Sequence, residues 1–120
     1  MPEFFTPEQA NKTLPKVRLI VDRIVQLNKE VPYLTGIRRN ESVDELSVQI
    51  SKLYEMGIEL KDPNVGLIDF PAKRFEEKVY LCWNLGEPEV MFWHDLQSGF
   101  KGRRLLKPQL IKAKWTLHKS

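Results

Sequence analysis

Apolar side chains recur three and four residues apart through Ala10, Leu14, Val17, Val21, Ile24 and Leu27, the spacing that lays one stripe along an α-helix. The helix has a marked start. Thr6 precedes Pro7, a residue suited to the first helical position, and Gln9 completes a Thr-x-x-Gln capping box. Pro15 lies inside the stripe, and an interior proline lacks an N–H and clashes with the carbonyl four residues back, which predicts a kink near residues 11–14. After Pro32 and Gly36, Ser42 and Glu45 offer a second capping box ahead of Val43, Leu46, Ile50, Leu53 and Tyr54, again on one helical face. Gly57 stands where a left-handed C-terminal cap is usual. Two amphipathic helices joined by a short connection form an antiparallel hairpin.

Beyond Gly57 the period changes from helical to alternating, with Ile58 and Leu60 opposite Glu59 and Lys61. Asp62-Pro63-Asn64 is turn chemistry, Gly66 leads back into an extended run over residues 67–70, and Pro71 is expected to stop it. Residues 78–83 and 90–94 read as a hairpin about Leu85-Gly86-Glu87-Pro88-Glu89. Both strands carry apolar side chains on both faces, so the second face needs a cover: the C-terminal arm, a long loop, or a second copy of the chain in a homodimer. The expected fold class is α+β: an N-terminal antiparallel helical hairpin packed on a small antiparallel β-meander of three to four strands. Residues 1–106 form a single domain, and residues 107–120 a basic C-terminal extension.

Size and composition agree with one core, since the chain has 120 residues and 42% hydrophobic content. Cys82 is the single cysteine, so no intramolecular disulfide framework exists, and a reducing, cytoplasmic setting is expected. The opening residues lack the basic and apolar regions of a signal peptide, and no apolar run approaches the roughly 20 residues that span a bilayer, which predicts no membrane partner. Charge is unevenly spread. Residues 1–100 hold twelve Lys or Arg against all sixteen Asp and Glu, whereas residues 101–120 hold seven bases and no acid. The arm either touches a polyanion or folds back on the acidic body.

Several stretches carry a resemblance: residues 60–72 (LKDPNVGLIDFPA), 79–90 (VYLCWNLGEPEV), Trp93-His94-Asp95-Leu96 and Gly99-Phe100-Lys101-Gly102-Arg103, with Phe5-Thr6, Ala10-Asn11 and Leu14-Pro15 before them. Together they resemble the prokaryotic domain-of-unknown-function family 2203 over residues 4–106, a resemblance that implies no established reaction. Asn84 stands where a basic residue is expected from that pattern, and Phe75-Glu76-Glu77 replaces a glycine-bearing turn.

Two chemistries compete for the function. The arm offers Lys101, Arg103, Arg104, Lys107, Lys112, Lys114 and Lys119 with Trp115 interleaved, a set that neutralises phosphates without reading sequence. This predicts a non-catalytic interaction protein contacting RNA, DNA or a ribonucleoprotein such as the ribosome. Alternatively, Asp69, Glu87, Glu89 and His94 supply ligands for a divalent metal in a metal-binding protein or metal-dependent hydrolase, whereas the first reading expects no cofactor. Their spacing matches no compact metal motif, and acids at a turn tip are usually just solvated. Cys82 and His94 form a thiolate–imidazole pair only if the hairpin register puts both on one face. A four-residue loop from Gly86 to Glu89 pairs Leu85 with Val90 and separates them, leaving Cys82 a small buried hydrophobe.

Overall fold

The computed structural model describes residues 3–106. Helix α1 (Pro7–Glu30) begins at the Thr6 capping box, where the Thr6 hydroxyl accepts from the Gln9 N–H and the Gln9 side chain accepts from the Thr6 N–H. It runs unbroken through Pro15, which sits on the exposed side. Its buried stripe of Ala10, Leu14, Val17, Val21 and Ile24 is the one read from the sequence. A single turn of 3-10 helix (Val31–Tyr33) leads to α2 (Gly36–Glu55), and the two helices pack antiparallel.

The second helix starts earlier than the Ser42 capping box predicted. Three residues apart is also one helical turn, and inside α2 Glu45 turns to α1, where its carboxylate takes both the Nε and Nη2 of Arg23. Only Leu53 of α2 is fully buried, with Leu46 and Ile50 packed against the core, while Val43 and Tyr54 face solvent.

Among the described residues, five strands follow as a continuous antiparallel meander: β1 (Glu59–Asp62), β2 (Leu67–Arg74), β3 (Glu77–Asn84), β4 (Phe92–His94) and β5 (Arg104–Leu105). This exceeds the three to four strands expected, because residues 104–105, assigned by charge to the basic region, pair with β4. Nor does Pro71 stop β2. The β1 partner ends at Glu59↔Asp69, so Pro71 lies where its missing N–H faces no neighbouring strand, and its carbonyl on that edge accepts from the Phe5 N–H at 2.7 Å.

One sheet face, with Ile68, Phe70, Leu81 and Trp83, is buried under the helices; burying each such side chain contributes about 1.5–3 kcal/mol. The other face mixes apolar side chains, Leu67, Cys82 and Phe92, with polar ones, and a loop, one of the covers expected for it, lies alongside. This face presents Asp69, Tyr80, Cys82 and His94, with the segment over residues 95–103 beside it.

The β2–β3 turn is made by Phe75 and Glu76 at φ 51° and 64°. A two-residue hairpin turn with both centres left-handed matches the sheet twist and normally uses Asn-Gly. Glu76→Gly is therefore expected to stabilise the fold by about 1 kcal/mol, read as a higher urea midpoint; an unchanged or lower midpoint would contradict this account of the turn.

Candidate metal centre

Strand register assembles the site. Asp69 lies opposite Cys82 across β2 and β3, and Tyr80 lies opposite His94 across β3 and β4. Side chains directly opposite share a face, as do residues two apart on a strand, so Asp69, Cys82 and His94 converge. This register corrects the expected one. Val90 cannot pair with Leu85 because both of its backbone groups are taken by Asn11 of α1: its N–H donates to Asn11 Oδ1 at 2.7 Å, and its carbonyl accepts from Nδ2 at 3.2 Å. Leu85 in turn donates to the Gly66 carbonyl. The loop is thereby lengthened and the ladder begins at Cys82↔Phe92.

All three side chains are shut away from solvent, with Asp69 at 3%, His94 at 4% and Cys82 at 0% exposure. Their ligating atoms lie within 4.8 Å of one another. His94 Nδ1 sits 2.7 Å from the Asp95 backbone carbonyl. A carbonyl only accepts, so Nδ1 carries a proton and donates it. Nε2 then faces both oxygens of Asp69, at 3.0 and 3.1 Å. In a neutral imidazole that nitrogen presents a lone pair to the carboxylate, and two acceptors this close need a proton or a cation between them.

Burial pushes the Asp69 carboxyl above its ordinary range, outweighing the pull of His94 and Lys61. Burial first, and then the Asp69 charge, push the Cys82 thiol up to about 12. Cys82 is therefore a thiol at neutral pH and no nucleophile. Both ring nitrogens of His94 are also engaged elsewhere, so the thiolate–imidazole chemistry fails even though the register permits it.

Glu87 and Glu89 do not join this cluster. Glu87 closes its own turn, accepting from the Asn84 N–H at 2.7 Å and pairing with Arg103, while Glu89 is exposed. Arg103 is spent on structure: beyond the Glu87 pair, its guanidinium stacks over Phe92 at 3.9 Å and Phe100 at 4.6 Å. Arg104 lies over Trp93 at 5.0 Å, and Lys101 is exposed. Lys107, Lys112, Lys114, Trp115 and Lys119 lie outside the described residues.

Above the cluster is a cavity of about 250 Å³ bounded by Lys61, Tyr80, Leu96 and Phe100. Lys61 pairs with Glu59 at 2.9 Å, and its Nζ lies 5.3 Å from the Tyr80 ring centre. Sequence reasoning set Cys82 aside on the wrong register and missed Lys61 and Tyr80. Their only sequence signal is shared strand parity with Asp69 and His94, and parity is read only once the register is known. A larger groove of about 700 Å³ runs between α1 and α2 past Leu19, Ile20 and Met56, but no ionisable side chain lining it is buried.

A family model described as "Uncharacterized conserved protein (DUF2203)" matches residues 35–106. The chain belongs to DUF2203. The DUF2203 match takes in α2, all five strands and the whole Asp69–Cys82–His94 cluster, but not α1, whose opening residues were part of the resemblance seen in the sequence. No curated protein matches the chain, and no solved structure does. Among the described residues, no helix is long and apolar enough to cross a membrane.

Proposed function

We propose that this DUF2203 chain binds a divalent transition metal through Asp69, Cys82 and His94, leaving a fourth coordination position open to the cavity. The observation that carries the reading is the His94 arrangement. Its Nδ1–H is fixed by the Asp95 carbonyl, and its Nε2 is aimed at a buried carboxylate with a thiol alongside. An outer hydrogen bond of this kind orients most metal-bound imidazoles. One nitrogen, one oxygen and one sulfur suit a zinc-class ion rather than magnesium or calcium. At ordinary bond lengths such ligands stand about 3.5 Å apart, which small side-chain movements reach from the present 4.8 Å limit. Three protein ligands plus an open position is the arrangement that holds and acidifies a water, as hydrolytic zinc sites do. Untagged protein is expected to carry about one metal per chain, lost in His94→Ala; with cobalt it should show a near-ultraviolet thiolate band that Cys82→Ser removes. Metal-free protein with no thermal shift on adding zinc, cobalt or nickel would overturn the reading.

A second reading is favoured by the charge segregation, seven bases and no acid over residues 101–120. It has the arm contacting a polyanion such as RNA. Deleting residues 107–120 should abolish salt-dependent retention on immobilised nucleic acid while leaving the melting temperature unchanged; equal retention by the truncated chain rejects it.

A further inference from the structure

We infer that the cavity over the metal ligands receives a small molecule through an anionic oxygen group, a phosphate or a carboxylate, one oxygen of which takes the open position on the ion. The inference rests on the metal reading above.

Charge balance carries the argument. A divalent ion held by the Asp69 carboxylate, the Cys82 thiolate and a neutral His94 leaves the buried cluster without net charge. The cavity wall is not neutral. Lys61 borders it directly, and the ammonium of Lys78 lies 5.5 Å from the ring of Tyr80, which also forms the wall. Glu59, bonded to Lys61, offsets only one of these two cations. Lys61 lines the cavity and Lys78 stands outside its lining, near Tyr80; positive charge on that side draws an anion inward and leaves the ion to bind it.

Size and shape restrict the ligand further. About 250 Å³ is below the range of drug-sized pockets, so the space admits a group of a few heavy atoms. Leu96 and Phe100, which also line the cavity, remain 55% and 43% exposed, a surface on which a short apolar portion of the ligand rests while its anionic end faces Lys61. A neutral, purely apolar molecule would gain nothing from Lys61, and a long one has no room.

The test uses the full chain loaded with cobalt. Inorganic phosphate is titrated in one arm and acetate in the other, each followed by the visible cobalt spectrum, with Lys61→Met and Lys78→Met run alongside. The expected result is a saturable spectral change with at least one anion, the tighter arm identifying the group. Lys61→Met should weaken that binding about tenfold, the effect of losing one nearby partly screened charge, while cobalt affinity is retained. Either of two outcomes overturns the inference and leaves the metal reading standing: normal cobalt uptake with a spectrum indifferent to both anions, or anion binding that is equally tight in both lysine variants. Absence of cobalt uptake, seen as a missing thiolate band before any anion is added, overturns both.

Discussion

Adding zinc to metal-stripped protein is expected to raise its melting temperature by about 10 °C or more. A ligand at a hundred times its dissociation constant adds about 2.7 kcal/mol to the folded state, and in a domain of this size each kcal/mol moves the midpoint by about 4 °C or more. His94→Ala and Asp69→Asn should both abolish the shift. The metal-free variants separate the two roles. Asp69 carries a carboxyl whose folded value is raised by burial, so ionising it costs the folded state more than the unfolded one. Stability from this group is accordingly greatest at low pH and falls as pH climbs from the unfolded value through the folded one. Asp69→Asn should remove that decline and leave the metal-free protein at least as stable near neutrality. Metal affinity should run the opposite way. The Cys82 thiol, at about 12, must release its proton to bind, which makes affinity rise about tenfold per pH unit through the neutral range. A zinc shift that survives in His94→Ala, or an affinity flat with pH, would contradict this site.

Gly66→Ala should be among the most damaging substitutions in the fold. Gly66 is buried at φ +73°, and an added methyl would stand 2.7 Å from Leu85 Cβ and 2.9 Å from Val21 Cγ1. Those neighbours belong to the β3–β4 loop and to α1, and neither is a flexible side-chain end. Its backbone is committed as well, the N–H to the Asp62 carbonyl and the carbonyl to the Leu85 N–H, both at 2.9 Å. Left-handed strain and overpacking together cost about 3 kcal/mol, measured as a lower urea midpoint at unchanged slope. Gly86→Ala is the matched comparison: φ is +105° but nothing stands within 4 Å, so only the backbone strain is felt. Equal losses at the two positions would refute the close approach of α1 at Gly66.

The Gly66 contacts also explain which parts of the site escaped the sequence. Asp69 and His94 were grouped with Glu87 and Glu89 as one polar set, and of the four these two do meet. Glu87 and Glu89 stay apart from them, because a turn uses its own acids: Glu87 holds the Asn84 N–H and Arg103. Cys82 was set aside on a register counted from the shortest loop. That count assumed Leu85 and Val90 had no better partners, whereas Gly66 and Asn11 take them.

The amino-acid sequence by itself determined the α1 stripe and its Thr6 cap, the existence of a second helix, the change to alternating strands after Gly57, and membership of DUF2203. All of these rest on residues close together in the chain, where period, capping and turn chemistry act directly. Only the tertiary structure decided the ladder register, which side chains share the second sheet face and the meeting of Asp69, Cys82 and His94. The Asn11–Val90 pairing that sets the register spans 79 residues. Strand parity has just two outcomes, and each turns every side chain of β4 to one face or the other, so a contact that no local propensity encodes chose which residues share the site.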